Sequence, residues 1–335
     1  MAVLFQDIET PDINGARKPR KLGGYQDSGA DIAYTLRKKG INVITPSASP
    51  HESTHEGWCF PDTEEGISAA VQRRATHIWA NTVLFSSHPL QISRKLDSYA
   101  RSISIGLGTF VIPRSWLVTT SDNLDKLLSS MDEYPIVGKP VRGRGSHGVK
   151  VCHNPTDLKA HVEALLVESP LVMIEELLAG NEATITVKSP SSSRPQHWSM
   201  TPVIRFNHVE GVAPYNGVVA VTTNSRVITD EEMKDPAYSD VMRQFERVAQ
   251  LIRATAPIRI DVRRFHQGSR FALFDINMKP NMTGPGRPGR EDQAGLTAIS
   301  AAALGWDYGA LLENILGIAQ PLDVFRRYRS PFERC

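Results

Sequence analysis

The sequence predicts an α/β protein, with an amino-terminal parallel α/β domain followed by two α+β lobes. Strand and helix signals alternate through about the first 80 residues, and this β-α-β-α-β order implies a parallel sheet with crossover helices. From residue 134 onward the pattern changes to short neighbouring strands, a glycine-rich loop and single helices. That pattern is typical of small α+β units.

In the amino-terminal part, the apolar run 2–5 predicts a buried strand. Asp27 or Ser28 is predicted to cap a helix that Gly40 ends. Residues 41–44 predict the next strand. The segment 62–65 combines a capping hydroxyl with two acids and predicts a helix to about residue 75, and 77–80 predicts a third strand.

The middle of the chain begins with a predicted helix over 92–102, followed by an apolar stretch at 110–113. Further strands are predicted at 135–141, 149–152, 171–175 and 183–187, with a helix from a Thr156 cap to about 168 and a turn-rich exposed loop at 189–195.

The last part contains an amphipathic helix, because Val241, Phe245, Val248 and Ile252 recur at helical spacing. Two strands, 258–265 and 270–276, form a predicted hairpin. Closing helices are predicted at 296–304 and 308–318. We therefore predict domains at 1–92, 93–188 and 189–335.

Composition excludes several classes of partner. The 335 residues carry a formal charge of +2, which gives no support for nucleic-acid or membrane-surface binding. No apolar run reaches the ~18 residues of a membrane helix, and the apolar stretch at the start of the chain is too short for a signal peptide. Cys59, Cys152 and Cys335 match no zinc or disulfide pattern. We expect free thiols and a cytoplasmic protein.

A glycine-rich loop, 143–148, formally matches the dinucleotide pattern G-x-G-x-x-G. A strand rather than a helix follows it, which disfavours dinucleotide binding, and Lys139 is followed by Pro140, which excludes a Walker A loop. Glycines beside Lys139, Arg142 and Arg144 favour a phosphate-binding turn. An exposed basic hairpin is the alternative.

Acidic residues mark two further segments. In 175–182, acids on both sides of a turn could accept hydrogen bonds from a ribose and an adenine amine, or form a solvated edge. On the last hairpin, Asp261, Asp275 and Asn277 offer hard oxygen ligands that suit Mg²⁺. The alternative is a buried Arg–Asp network. The Gly-, Pro- and Arg-rich segment 280–290 is typical of a substrate loop.

Together these segments resemble the ATP-grasp superfamily, in particular its D-alanine–D-alanine ligase branch. The matching motifs are Pro-x-Val-Gly-Lys-Pro with the Gly-Ser loop, Ile-Glu-Glu-Leu-Leu-Ala-Gly-Asn-Glu, Arg-Ile-Asp-Val, and Asp-Ile-Asn-x-x-Pro-Asn-Met-Thr, in this order within about 135–315. The resemblance implies an ATP-grasp fold whose two lobes clamp ATP. It also implies an ADP-forming carboxylate–amine ligase that uses ATP and two Mg²⁺ ions, or Mn²⁺.

The resemblance also implies residue roles. Lys139 would contact the phosphates. Lys95 matches a second ATP-binding lysine that lies earlier in the chain. The loop residues that would contact the phosphates are Arg142, Gly145, Ser146 and Gly148. Glu175, Glu176 and Leu178 would lie at the adenine, and Glu182 at the ribose. Asp261, Asp275 and Asn277 would hold the metal, and Arg259, Asn281 and Ser146 would act in catalysis.

The amino-terminal third departs from the ligase pattern, since the segment 23–28 is short and a His-Gly-rich segment is missing. Asp27, His88 and Arg287 are the candidate substrate contacts, although Asp27 could instead cap a helix and His88 could be structural. These departures predict an L-amino acid, a peptide or another carboxylic acid as substrate, in secondary metabolism, rather than two D-alanines.

Two other functions stay open at this point. The same ATP site could serve a non-amine acceptor, giving an ester or phosphoryl transfer, or the chain could be a non-catalytic ATP-binding protein. A homodimer is implied by the resemblance alone.

Overall fold

The computed structural model describes residues 1–13, 15–93, 113–142, 146–208, 221–319 and 321–327. Its first part begins with a parallel sheet. The elements are β1 (Ala2–Phe5), β2 (Asp12–Ile13), β3 (Ala16–Arg17), α1 (Gln26–Lys38), β4 (Phe60–Pro61), α2 (Glu64–Gln72), β5 (Ile78–Asn81) and α3 (Pro89–Ile92). β1 lies between β4 and β5 and is parallel to both. The predicted parallel α/β domain is confirmed.

Two local predictions in this domain were wrong. Residues 41–44 form only one bridge, between Ala2 and Ile44, and the nearby Pro46 has no N–H to extend the ladder. Helix α1 is capped by Tyr25 in a left-handed conformation (φ 68°) without a side-chain cap, so Asp27 lies inside its first turn. Thr63 caps α2 as predicted and accepts from Gly66 N–H.

The central lobe is an antiparallel sheet covered by two helices. It contains β6 (Ser115–Val118), α4 (Ser121–Leu128), β7 (Ile136–Pro140), β8 (Lys150–Cys152), α5 (Pro155–Glu168) and β9 (Val172–Glu176). The strand order is β6-β9-β7-β8. Val118, Leu124, Leu158 and Ile174 form its dry core. Asn154, rather than Thr156, caps α5. The predicted helix over 92–102 lies mostly outside the described residues, as do 110–112.

The carboxy-terminal lobe is a second sheet with its helices. Its elements are β10 (Glu182–Lys188), β11 (Trp198–Ser199), β12 (Val203–Arg205), β13 (Ser225–Val227), α6 (Pro236–Leu251), β14 (Ile258–Arg264), β15 (Phe271–Asn277), α7 (Leu296–Ala302), α8 (Tyr308–Leu316) and α9 (Leu322–Arg327). The strand order is β13-β12-β10-β14-β15, with β11 paired to β10. Helix α6 covers this sheet through the predicted apolar residues, all of them buried.

The domain boundary predicted at residue 188 assigns β10 to the central lobe, but this strand belongs to the carboxy-terminal lobe. β10 pairs with β12 and β14, so its backbone hydrogen bonds lie in the carboxy-terminal sheet. Both lobes are α+β, and apolar alternation alone does not name a strand's partners.

The last helices close against the first domain. Leu311 and Leu312 of α8 share one buried cluster with Ile32 of α1 and Val3 of β1. The end of the chain therefore holds the amino-terminal domain beside the carboxy-terminal sheet. Among the described residues, no helix is long and apolar enough to cross a membrane.

Candidate active site

Two acids and an amide meet on β14 and β15. The antiparallel register sets Asp261 opposite Asp275 and Arg259 opposite Asn277, and period-two alternation turns these side chains to one face. Asn277 Nδ2 donates to Asp261 Oδ2 at 3.1 Å and to Asp275 Oδ2 at 2.8 Å. The structure thus brings together the three residues predicted to bind metal, and their role as ligands stays a prediction.

The Asp261 carboxylate is buried and fully engaged. Oδ1 accepts from Thr184 Oγ1 at 2.6 Å and from Arg259 Nε at 3.1 Å. Oδ2 accepts from Arg259 Nη2 at 2.9 Å and from Asn277. Since a carboxylate has about four lone-pair sites, a metal ion here would replace one of these donors. A buried Arg–Asp network was the alternative interpretation of these residues. An Arg–Asp pair is present, because Arg259 binds Asp261, which is one of the predicted metal ligands.

Asp275 is exposed on the same face. Its pKa is raised because nearby protein atoms reduce its hydration and because Asp261 adds a second negative charge, while Arg259, Asn277 and Lys139 act in the opposite direction. A cation would favour the ionised form. The described residues contain no metal-binding group of three His, Cys, Asp or Glu side chains. The donor set is two carboxylates and an amide oxygen, hard ligands that fit Mg²⁺.

The central lobe contributes an ion pair. Lys139 Nζ on β7 lies 2.6 Å from Glu175 Oε2 on β9. The register pairs Val137 with Glu175, so Lys139 is the diagonal neighbour of Glu175 on the same face. The predicted phosphate lysine and adenine acid are therefore in direct contact.

The end of β9, the start of β10 and the connection between them carry the other predicted nucleotide contacts. The carboxylate of Glu176 lies 3.6 Å from Arg114 Nε. Leu178 is buried, and its backbone groups make no hydrogen bond within the described part of the chain. Glu182 is buried, and its Oε2 lies 2.7 Å from His208 Nε2.

The loop between β7 and β8 is described on either side of 143–145. Arg142 is half-buried at its start. Ser146 has φ 59°, and Gly148 has φ 69°, where an added Cβ would come within 2.8 Å of Leu165. His161 Nε2 lies 3.0 Å from Gly148 O and 3.3 Å from Gly138 O, so this ring holds the two ends of the hairpin together. Of the predicted phosphate-binding residues, Gly145 and Lys95 lie outside the described residues.

The segment after β15 starts with a side-chain turn. Asn281 Oδ1 accepts from Thr283 N at 3.2 Å and from Thr283 Oγ1 at 2.8 Å. The predicted role of Asn281 N–H at an oxyanion stays a prediction.

Arg287 is buried at the far end of this segment and binds α1. Its Nε donates to Asp31 Oδ1 at 2.8 Å, and Arg290 Nε donates to Asp31 Oδ2 at 2.9 Å. Burial raises the pKa of Asp31 while both guanidinium groups act to lower it. Arg287, a predicted substrate contact, is instead engaged in a buried link between the loop and the first domain.

Asp27 lies beside this link. Lys21 Nζ is 3.0 Å from its carboxylate, and Arg290 Nη2 is 3.9 Å away. Burial acts to raise the pKa of Asp27, but Lys21, the Ser28 N–H and Arg290 lower it overall. Asp27 is thus an ionised, paired carboxylate in the first turn of α1, and substrate contact stays a prediction.

His88 is not available to a substrate. Its side chain is fully buried, Nδ1 accepts from Leu90 N at 3.1 Å, and Nε2 lies 3.1 Å from Asp62 Oδ2. Because Nδ1 accepts, Nε2 is the protonated nitrogen and donates to Asp62. The proposed substrate role of His88 was therefore wrong, and the structural alternative holds. His147, in the loop between β7 and β8, is exposed, and its Nε2 lies 3.0 Å from Glu168 Oε2.

Thr184, His161 and Asp31 were missed by the sequence analysis. Thr184 had a signal, since Glu182, Thr184 and Thr186 alternate as polar residues along an otherwise apolar strand. The other two had none, because their partners are distant in sequence.

This architecture is shared with solved ligase structures. A crystal structure of D-alanine–D-alanine ligase from Bacillus anthracis complexed with ATP aligns over 94% of both chains with a TM-score of 0.56 and 15% identity. A second structure of that ligase aligns over 94% of this chain and 95% of the other, with a TM-score of 0.55. The fold is therefore that of an ATP-grasp protein.

The family follows from the sequence comparisons. The family model described as D-ala D-ala ligase C-terminus matches residues 104–317, and the chain belongs to that family. It is 26% identical over 185 residues to a D-alanine–D-alanine ligase of Actinobacillus succinogenes, covering 55% of this chain and about half (54%) of the relative. It is 24% identical over 292 residues to one of Syntrophotalea carbinolica, covering 87% and 83%.

Proposed function

We propose that this protein is an ATP-dependent, ADP-forming ligase that activates a carboxylate as an acyl phosphate and joins it to an amine. The membership of the D-alanine–D-alanine ligase family supports this reaction class. The named relatives act on D-alanine, whereas the substrate of this chain is proposed to be a different amino-acid-like carboxylate.

The proposal is supported by the antiparallel hairpin that places Asp261, Asp275 and Asn277 on one face, and by Lys139, whose charge acts to lower the pKa of Asp275 from the other lobe. A cation for phosphate oxygens and acids for a metal therefore belong to one site, which is the arrangement that phosphoryl transfer requires.

ATP would bind between these two faces. Lys139 would contact the phosphates, and ATP binding would release it from Glu175. Glu175 would then accept from the adenine amine. The backbone of Leu178, which makes no hydrogen bond to the described residues, suits the adenine edge. Glu182, held by His208, suits a ribose hydroxyl.

Asp261, Asp275 and Asn277 would hold two Mg²⁺ ions, which supply positive charge to the transferring phosphoryl group when bound. The Asn277 nitrogen donates to both carboxylates in this structure. To act as a ligand, the Asn277 amide would have to turn so that its oxygen faces the metal. Thr184 and Arg259 keep Asp261 in place.

The chemistry follows from charge. A carboxylate is a poor electrophile, so one of its oxygens attacks the γ-phosphorus, the bond from that phosphorus to the bridging oxygen breaks, and ADP leaves. An amine then attacks the acyl carbon. Arg259 and Asn281 N–H would stabilise the oxyanion, phosphate leaves, and the amine loses a proton.

The substrate proposal rests on the first domain. The carboxylate of Asp27 is already paired with Lys21, so an ammonium group would compete with a lysine there. Among the proposed substrates, the Asp27–Lys21 pair therefore favours a carboxylic acid that brings no ammonium group to this position.

The test is a mass measurement. The protein is incubated with ATP, Mg²⁺ and pooled carboxylic and amino acids, with hydroxylamine in a parallel sample. ADP, phosphate and a new condensed mass are expected, and the parallel sample should contain a hydroxamate from the trapped acyl phosphate. AMP and pyrophosphate would reject the mechanism in favour of adenylation. An ester or a phosphorylated product would reject the amine acceptor.

Asn277→Ala tests the metal assignment. We expect turnover to be lost while circular dichroism stays unchanged. Asp240→Asn, an exposed change on α6, is the matched control and should retain activity. Normal turnover by Asn277→Ala would remove Asn277 from the ligand set.

A further inference from the structure

A cavity of about 360 Å³ lies at the far end of β10, away from the acids of the candidate active site. Lys188, Ser189, Arg194, Trp198 and Trp306 are among the residues that line it. Lys188 is four residues beyond Thr184 on the same strand, or ~13 Å at the usual strand rise. The volume of the cavity is within the range of small-molecule sites.

Two polar atoms at this cavity are buried, and the described residues provide no hydrogen-bond partner for either. Lys188 is 1% exposed and Ser189 is 3% exposed. Neither Lys188 Nζ nor Ser189 Oγ has a hydrogen-bond partner among the described residues. No described carboxylate pairs with Lys188, and burial lowers the pKa of its ammonium group to about 8. A buried ammonium without an anion is unfavourable, so the site is chemically incomplete.

The walls of the cavity are aromatic and cationic. The rings of Trp198 and Trp306 meet edge to face with centroids 5.9 Å apart. The guanidinium of Arg194 lies 4.2 Å from the Trp198 ring centroid. The Arg194 side chain is exposed and has no ion-pair partner in the described part of the chain. It adds a second positive charge near the opening.

The loop that carries Arg194 is ordered by its own hydrogen bonds. Ser191 N donates to Arg194 O at 2.8 Å, and Arg194 N donates back to Ser191 O at 3.2 Å. The serine-rich stretch, expected from sequence to be an exposed loop, is thus a closed turn beside the cavity.

We propose that this cavity binds a small organic carboxylate, with Lys188 and Ser189 holding the carboxylate oxygens and the two indoles contacting its apolar part. The unpartnered ammonium and hydroxyl provide the donors that a carboxylate accepts from. The indole walls favour an apolar body over a bare inorganic anion. The inference does not depend on the proposed ligase function, because none of these residues belongs to the candidate active site.

The test uses benzoate as the carboxylate probe, benzamide as its uncharged counterpart and inorganic phosphate as a bare anion. Each is titrated into the full chain by calorimetry, up to about 10 mM to include weak affinities. We expect saturable binding of benzoate and none of benzamide or phosphate. Absence of benzoate binding, or equal binding of benzamide, would overturn the proposal, and binding of phosphate alone would overturn the aromatic part of the site.

Variants then locate the binding. Lys188→Met keeps the apolar stem and should weaken benzoate binding about ten- to a hundredfold, as expected for loss of a charged hydrogen bond. Arg194→Ala, an exposed change that does not threaten folding, should weaken it less. Lys159→Met, on the surface of the central lobe, is the matched control.

Asn277→Ala separates this cavity from the candidate active site. It should bind benzoate with wild-type affinity, and loss of binding there would place benzoate in the active site instead. Unchanged affinity in Lys188→Met or in Arg194→Ala would contradict the assignment.

Discussion

Lys139 and Glu175 form an ion pair across β7 and β9, with 2.6 Å between Nζ and Oε2. Both side chains are mostly covered, and the register places them on one face of the central sheet. The pair joins a phosphate-binding candidate to an adenine-binding candidate. Under the proposed function, ATP binding would exchange this contact for contacts with the nucleotide.

Replacing Lys139 therefore tests nucleotide binding. Lys139→Met should raise the Kd for ATP about ten- to a hundredfold, because a charged hydrogen bond contributes about 1.5–3 kcal/mol. Calorimetry with Mg·ATP measures this. Lys150→Met is the matched control, since Lys150 on β8 pairs with Asp157 at the surface. Equal affinity in the two variants would remove Lys139 from the ATP site.

Asp275 is predicted to destabilise the fold when no cation is bound. Its folded pKa is raised above the ordinary 3.8, so the folded state binds the proton more tightly than the unfolded chain. The free energy of unfolding then falls as pH rises from the unfolded pKa through the folded one. Asp275→Asn should raise the Tm at pH 7 without metal, and this gain should vanish below about pH 3.8.

The effect of Mg²⁺ on the Tm tests metal binding at Asp275. Mg²⁺ should raise the Tm of the wild type and leave that of Asp275→Asn unchanged, since a ligand stabilises only the state that binds it. Equal Mg²⁺ shifts in both proteins would contradict metal binding at Asp275, whatever the activity of either.

Asp62 is predicted to stabilise the first domain. Burial raises its pKa, but hydrogen bonds from His88, Thr82 and two backbone N–H groups lower it overall. Its contribution is present above the unfolded value of 3.8 and is lost as pH falls through the lower folded pKa. Asp62→Ala should reduce the free energy of unfolding by about 3–5 kcal/mol at pH 7, because it leaves buried donors unpaired. Denaturant titration measures the loss.

The kinetic readout of Asp62→Ala distinguishes a structural from a chemical role. At a temperature where the variant is folded, its KM for ATP should equal that of the wild type. A changed KM with unchanged stability would indicate a role for Asp62 and its partner His88 in the active site.

Arg287 and Asp31 are predicted to act as one unit. Asp31→Asn and Arg287→Ala should cause similar losses of stability, and the double variant should lose little more, with a coupling energy within the ~0.5–3 kcal/mol seen for residues in contact. A double-mutant cycle by thermal unfolding measures the coupling. Additive losses would indicate that Arg287 acts on something other than Asp31, such as a substrate.

Sequence patterns determined much of this protein. The alternation of strand and helix signals predicted the parallel sheet of the first domain. Apolar residues at helical spacing predicted the buried face of α6. The side-chain period of two along a strand placed Asp261, Asp275 and Asn277 on one face of a hairpin. These features depend on neighbours along the chain or on one strand pair, where local geometry decides the outcome.

The tertiary structure decided the rest. Contacts between distant segments decide that β10 pairs in the carboxy-terminal sheet and that Arg287 binds Asp31 256 positions away. They also bury His88 against Asp62 and leave Lys188 beside two indoles with no partner among the described residues. No local spacing encodes such contacts, because burial and partner choice are set by how separate elements pack.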